Sequence, residues 1–137
     1  MLPPSPATLT VDLDALAENY RTLERVGGVP VHPVVKADGY GLGAEACAAR
    51  LMREGARTFF VARTREGERL REALGAEPAI YVLDGCLTGR AGRMRAAALR
   101  PVLNTPEQMA EWRAAGGGPC GLQIDTGMNR LGFRPEA

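Results

Sequence analysis

Lys36 is the only lysine in a chain of 137 residues that carries sixteen arginines. It stands in "PVVKADGYGLG", residues 33 to 43. Arginine keeps its proton at neutral pH, whereas a lysine amine can shed it and attack a carbonyl carbon. An amine at the end of an apolar run, followed by a glycine-rich turn, suits Schiff-base chemistry. Gly39, Gly41 and Gly43 let the backbone turn sharply and approach a ligand. Tyr40 adds a hydroxyl able to reach a phosphate oxygen. The same residues also describe an ordinary solvated strand end with a flexible loop.

A second group lies in "QIDTGMNRLGF", residues 123 to 133. Asp125, Thr126 and Gly127 leave an apolar run, and Arg130 follows three residues after the glycine. Its planar guanidinium matches a carboxylate or a phenolate oxygen. The alternative is a strand-to-helix turn in which Asp125 or Thr126 caps the next helix and Arg130 is solvated.

Five short β-favouring runs must position these groups: residues 31–36, 58–62, 79–83, 100–104 and 121–125. Helical patterns separate them. Leu13, Leu16, Tyr20 and Leu23 step by three and four ahead of the first run. After the second, Thr64 is a plausible N-cap, with Leu70 and Leu74 four apart. After the fourth, Thr105, Pro106 and Gln108 form an N-cap, first-turn proline and capping box, and Met109 and Trp112 share a face. Alternating strands and helices imply an α/β fold with a parallel sheet, more regular than a doubly wound one and without GxGxxG. The expected architecture is a partial (β/α)8 TIM-type barrel of about five parallel strands. A closed barrel needs eight strands and about 250 residues, so either the sheet is open or the sequence stops partway through a larger domain. The segment "RLGFRPEA" offers no terminal cap of its own.

A net charge of +1 and 5% aromatic residues argue against a nucleic-acid or anionic-membrane surface. Cys47, Cys86 and Cys120 are far apart and odd in number, which disfavours a disulfide framework or a zinc site. No metal is expected. The opening "MLPPSPATLTVDL" lacks the basic and apolar regions of a signal peptide, so the expected location is cytoplasmic.

Together, "VVKADGYGLG" and "IDTGMNRLGF" closely resemble the N-terminal part of alanine racemase, a family dependent on pyridoxal 5′-phosphate (PLP). The likeness extends from "VDLDALAENY" through "LREAL" to "RPVLNTPEQM". It implies that Lys36 carries the cofactor covalently and, once freed, serves as acid–base on one face of the substrate. Tyr40 would bind the cofactor phosphate, and Arg130 the cofactor phenolic oxygen and the substrate carboxylate. Leu83 would pack near the pyridine ring. The family's second acid–base, a tyrosine, comes from a β-rich C-terminal domain of the partner in a homodimer. None of Tyr20, Tyr40 and Tyr81 matches it.

Residues 1–137 are thus expected to be the N-terminal part of the PLP-binding barrel domain, without the C-terminal β domain. The implied activity interconverts L- and D-alanine, supplying D-alanine for peptidoglycan, with alanine as the small-molecule substrate. These residues alone are not expected to racemise alanine efficiently, and the isolated chain is expected to be marginally stable. A racemase of broader or serine specificity, or a non-catalytic PLP-binding remnant, remains an alternative. Gln123 stands where many relatives have a lysine that orients the arginine, and a neutral amide can still hydrogen-bond a guanidinium.

Overall fold

The computed structural model describes residues 7–135. The first six residues and the last two, which belong to the opening and terminal segments discussed above, lie outside them. Strands β1 (Thr58–Val61), β2 (Ala79–Val82), β3 (Leu99–Leu103) and β4 (Gly121–Leu122) pair in parallel in that order. A doubly wound sheet reverses its order at a switch point. Here each strand lies beside its predecessor, which is the arrangement of a partial (β/α)8 barrel.

Two of the five expected strands fall short of their apolar runs by three residues or more. The run at 31–36 makes a single bridge, Val34 to Phe60, on the side of β1 away from β2. Val35 N–H donates to the Phe60 carbonyl and Phe60 N–H to the Pro33 carbonyl, both at 2.9 Å. Pro30 and Pro33 have no N–H to extend this ladder upstream. Downstream the chain leaves the strand path at Lys36, where α2 (Lys36–Tyr40) begins. The run at 121–125 keeps two strand residues and then an isolated bridge from Ile124 to Phe133.

The other helices are α1 (Leu13–Gly27), α3 (Ala44–Arg53), α4 (Thr64–Leu74), α5 (Ala91–Ala96) and α6 (Pro106–Ala114). Helix α1 starts at Asp12, whose carboxylate accepts the Asp14 and Ala15 N–H groups at 2.9 and 3.0 Å. Such a cap contributes about 1 kcal/mol. The cap of α4 is Arg63 rather than the expected Thr64, which is buried as the first helical residue. Thr105 does cap α6, accepting the Gln108 N–H. The Gln108 side chain reaches one residue beyond the usual box, accepting Asn104 N–H at 2.9 Å.

Alternation along the strands sorts the side chains onto two faces. Phe59, Val61, Ile80, Val82 and Leu99 are buried beneath the helices, against Leu51, Leu70, Met94 and Trp112. On the opposite face Phe60, Tyr81 and Arg100 stand in register across three strands and are half-buried. The Phe60 and Tyr81 rings stack at 5.2 Å, and the Arg100 guanidinium lies 5.6 Å from the Tyr81 ring centre. Among the described residues no helix is long and apolar enough to cross a membrane.

Candidate active site

Residue type explains little of the conformation at Lys36. Ala37 (φ 52, ψ 47), Asp38 (φ 53, ψ 49) and Gly39 (φ 63, ψ 37) lie in the left-handed region, and Tyr40 follows with φ 56. Element α2 is therefore a turn of left-handed helix. For the three residues with a Cβ, this costs about 3–6 kcal/mol in all. Local bonds must offset it. Gly39 N–H donates to the Val35 carbonyl at 2.9 Å, and Gly43 N–H to the Asp38 carbonyl at 2.9 Å. The Asp38 carboxylate accepts the Ala44 N–H at 3.0 Å and so caps the start of α3. Gly39 is favoured sterically, since a Cβ there would stand 3.1 Å from the Ala44 nitrogen and 3.2 Å from its Cα.

Glu66 contributes a clamp from outside the turn. Its Oε1 accepts the Ala37 N–H at 2.8 Å, while Oε2 accepts the Ala62 and Arg63 N–H groups at 2.8 and 3.0 Å. The result brings Lys36 and Tyr40 together, with the Lys36 Nζ 5.9 Å from the centre of the Tyr40 ring. The ring itself is exposed. Upstream, Tyr20 donates to Glu24 at 2.8 Å and to the Val31 carbonyl at 3.3 Å, anchoring the approach to Lys36. Burial and the Glu24 carboxylate push the Tyr20 hydroxyl up to about 12.

The second motif occupies the same C-terminal rim at the far edge of the sheet, beyond β4. No helix follows Asp125 among the described residues. Its Oδ1 instead accepts the Gly127 and Asn129 N–H groups, both at 3.0 Å, folding the loop on itself. Those backbone donors hold the Asp125 carboxyl below the ordinary aspartate range. Asp125 N–H and Phe133 N–H donate to the Phe133 and Gln123 carbonyls at 2.7 and 2.8 Å, closing the base of the loop. Gln123 Nε2 donates to the Leu131 carbonyl at 3.2 Å, so its amide holds the loop backbone rather than the Arg130 guanidinium. Arg130 is exposed, and among the described residues no contact joins it to Lys36 or Tyr40.

Between these edges the rim holds two buried oxygens without partners among the described residues, Asp84 Oδ1 and Asn104 Oδ1. Burial pushes the Asp84 carboxyl up, although Arg63 bonds its other oxygen at 3.1 Å. Asn104 Nδ2 donates to the Leu83 carbonyl at 3.0 Å, which ties the end of β3 to the end of β2. Glu66, Asp84 and Asn104 lie outside both sequence motifs. Glu66 had a local signal as the third residue of a helix, but its bond to Ala37 spans 29 positions.

Comparison with known proteins agrees with this architecture. The family described as "Alanine racemase, N-terminal domain" matches residues 11–137. An alanine racemase from Jannaschia sp. is 50% identical over 129 residues, covering 93% of this chain and 38% of that protein. A catabolic alanine racemase from Mesorhizobium japonicum is 50% identical over 135 residues, covering 94% and 35%. The crystal structure of the Bartonella henselae alanine racemase, with covalently bound pyridoxal phosphate, superposes with a TM-score of 0.83 at 32% identity, covering 92% of this chain and 37% of that one. The biosynthetic enzyme of Pseudomonas aeruginosa gives 0.82 at 34% identity, covering 92% and 36%. The chain thus spans little more than a third of the length of its relatives. Over residues 11–137 it belongs to the alanine racemase N-terminal domain family.

Proposed function

We propose that this chain is the N-terminal part of the barrel domain of a PLP-dependent racemase that interconverts L- and D-alanine. The observation that carries the reading is the clamped left-handed turn, which spends backbone strain to fix a lone lysine beside a tyrosine at a barrel rim. Such strain is typical of functional sites. The donor set fits the cofactor: an amine for its aldehyde, a phenol for its phosphate and a guanidinium for a phenolate or carboxylate oxygen. PLP, when bound, withdraws electrons from the amino acid's Cα–H bond.

In this reading Lys36 holds the cofactor and then exchanges a proton with the substrate Cα on one face. The Tyr40 hydroxyl donates to the phosphate. Arg130 orients the cofactor phenolic oxygen and the substrate carboxylate through its paired N–H groups. Leu83, at the end of β2, supplies apolar surface for the ring. The opposite face needs a second acid–base, supplied by a partner subunit of a homodimer. The protein works in the cytoplasm, where its product feeds peptidoglycan.

The test uses the native gene product, whose intact mass is measured first. Borohydride reduction followed by peptide mapping should place PLP on Lys36. Lys36→Ala should lower alanine racemisation by about 10³-fold or more with an unchanged unfolding midpoint. Full activity in that variant, or PLP on no lysine, would remove the proposal. Serine turned over faster than alanine would redirect it to a broader racemase.

A further inference from the structure

Glu66 does more than start a helix. A capping carboxylate at the third helical position needs only the backbone just ahead of it, and Oε2 meets that need through Ala62 and Arg63. Oε1 is committed elsewhere, to the N–H of Ala37. That N–H belongs to the peptide plane joining Lys36 to Ala37. Fixing the plane fixes ψ of Lys36, and with it the direction in which the lysine side chain leaves the backbone.

The helix behind Glu66 packs closely on the sheet. Gly67 lies so close to the sheet that an added Cβ would meet Leu99 at 3.0 Å, and Leu70 is 1% exposed. Glu66 therefore transmits the position of a packed helix to the strained turn. We infer that Glu66 is a positioning residue for Lys36, holding the amine at the rim through the Ala37 N–H. The inference rests on the proposed role of Lys36 as the cofactor-bearing lysine.

Glu66→Gln leaves one acceptor oxygen for two tasks, and amide exchange at Ala37 against Ala62 and Arg63 shows which is lost. Its single carbonyl oxygen can serve the helix start or Ala37, and its NH₂ then faces an N–H donor on the other side. In the PLP-stripped native gene product we expect Ala37 amide exchange to quicken at least tenfold. PLP capture, followed by absorbance at a temperature where both proteins are fully folded, should slow at least tenfold. Glu66→Asp, which keeps both oxygens but shortens the reach, should fall between. Capture within twofold of wild type in Glu66→Gln would overturn the inference. So would failure of both variants to fold, which would make Glu66 purely structural. Wild-type protein that leaves Lys36 unmodified by PLP would overturn the proposed function instead, and peptide mapping distinguishes that failure from loss of the clamp.

Discussion

The two rim motifs solve the same problem in opposite ways. The turn after Lys36 adopts an unfavourable backbone and is held by local bonds, including the Asp38 cap on Ala44, together with one brace distant in sequence, Glu66. The loop around Arg130 is held by its own residues, through Asp125, Asn129 and Gln123. One region is strained and cross-braced, the other exposed and self-contained. A group that forms a covalent bond tolerates little misplacement, because reacting atoms must meet at about 3–3.5 Å. In the proposed reading Arg130 holds oxygens only through non-covalent bonds, which accept a wider range of geometry. The contrast teaches that this scaffold concentrates its tertiary bracing on the lysine.

The sharpest way to break the comparison is a matched pair of glycine substitutions. Gly39→Ala adds a left-handed alanine and a Cβ that presses on the Ala44 backbone, so it should cost about 2–4 kcal/mol in urea unfolding. Gly127→Ala, with nothing within 4 Å of the added carbon, meets only the backbone strain of φ 144, and should cost less because an exposed loop can relax around it. Equal costs would mean that the Lys36 turn is no more braced than the Arg130 loop.

Extremes of pH should separate the regions more gently. The folded state raises the Tyr20 pKa to about 12, so the protonated form favours folding. Its contribution is complete below about pH 10, the ordinary tyrosine value, and is lost as pH rises through about 12. Alkali should thus loosen the approach to Lys36 first, read by amide exchange at Val31 and Val35. Tyr20→Phe should remove that part of the pH dependence.

Asp125 has the opposite sign. Its folded pKa is depressed, so the carboxylate favours the folded loop. That contribution is present above the ordinary aspartate value of about 3.9 and disappears as pH falls through the lower folded pKa. Gly127 and Asn129 amides should remain protected until acid takes the pH below the ordinary aspartate range, with Val35 unaffected. Exchange that changes together in both regions would show that they are coupled.

The smallest expected effect is that of Gln123→Ala, which removes one exposed bond to the Leu131 carbonyl. Stability should change by less than about 1 kcal/mol. The readout is exchange within residues 125–133, with the Lys36 turn as an unaffected control.

Much of the scaffold is legible in the residues. Apolar runs alternating with capped amphipathic segments gave the α/β class, and Thr105 with Pro106 marked the start of α6. The left-handed turn was hidden because hydrophobic pattern carries no sign of φ, and Ala37, Asp38 and Tyr40 are poor advertisements for it. Pro33 explains why an apolar run became a single bridge, but only once its pairing to Phe60 is known. Glu66 is not legible in the residues because helix-capping logic is local, whereas its second acceptor oxygen serves a residue 29 positions upstream. Gln123 has an amide able to meet a guanidinium, but residue type alone does not choose among its acceptors and donors, and in the fold its Nε2 donates to the Leu131 carbonyl.

The in-order pairing of β1 through β4 also has a consequence for synthesis on the ribosome. Each strand after β1 emerges when its neighbour in the sheet has already been made. Protease resistance of stalled nascent chains should therefore grow in steps of one strand and helix, and chains arrested after β2 should already protect β1.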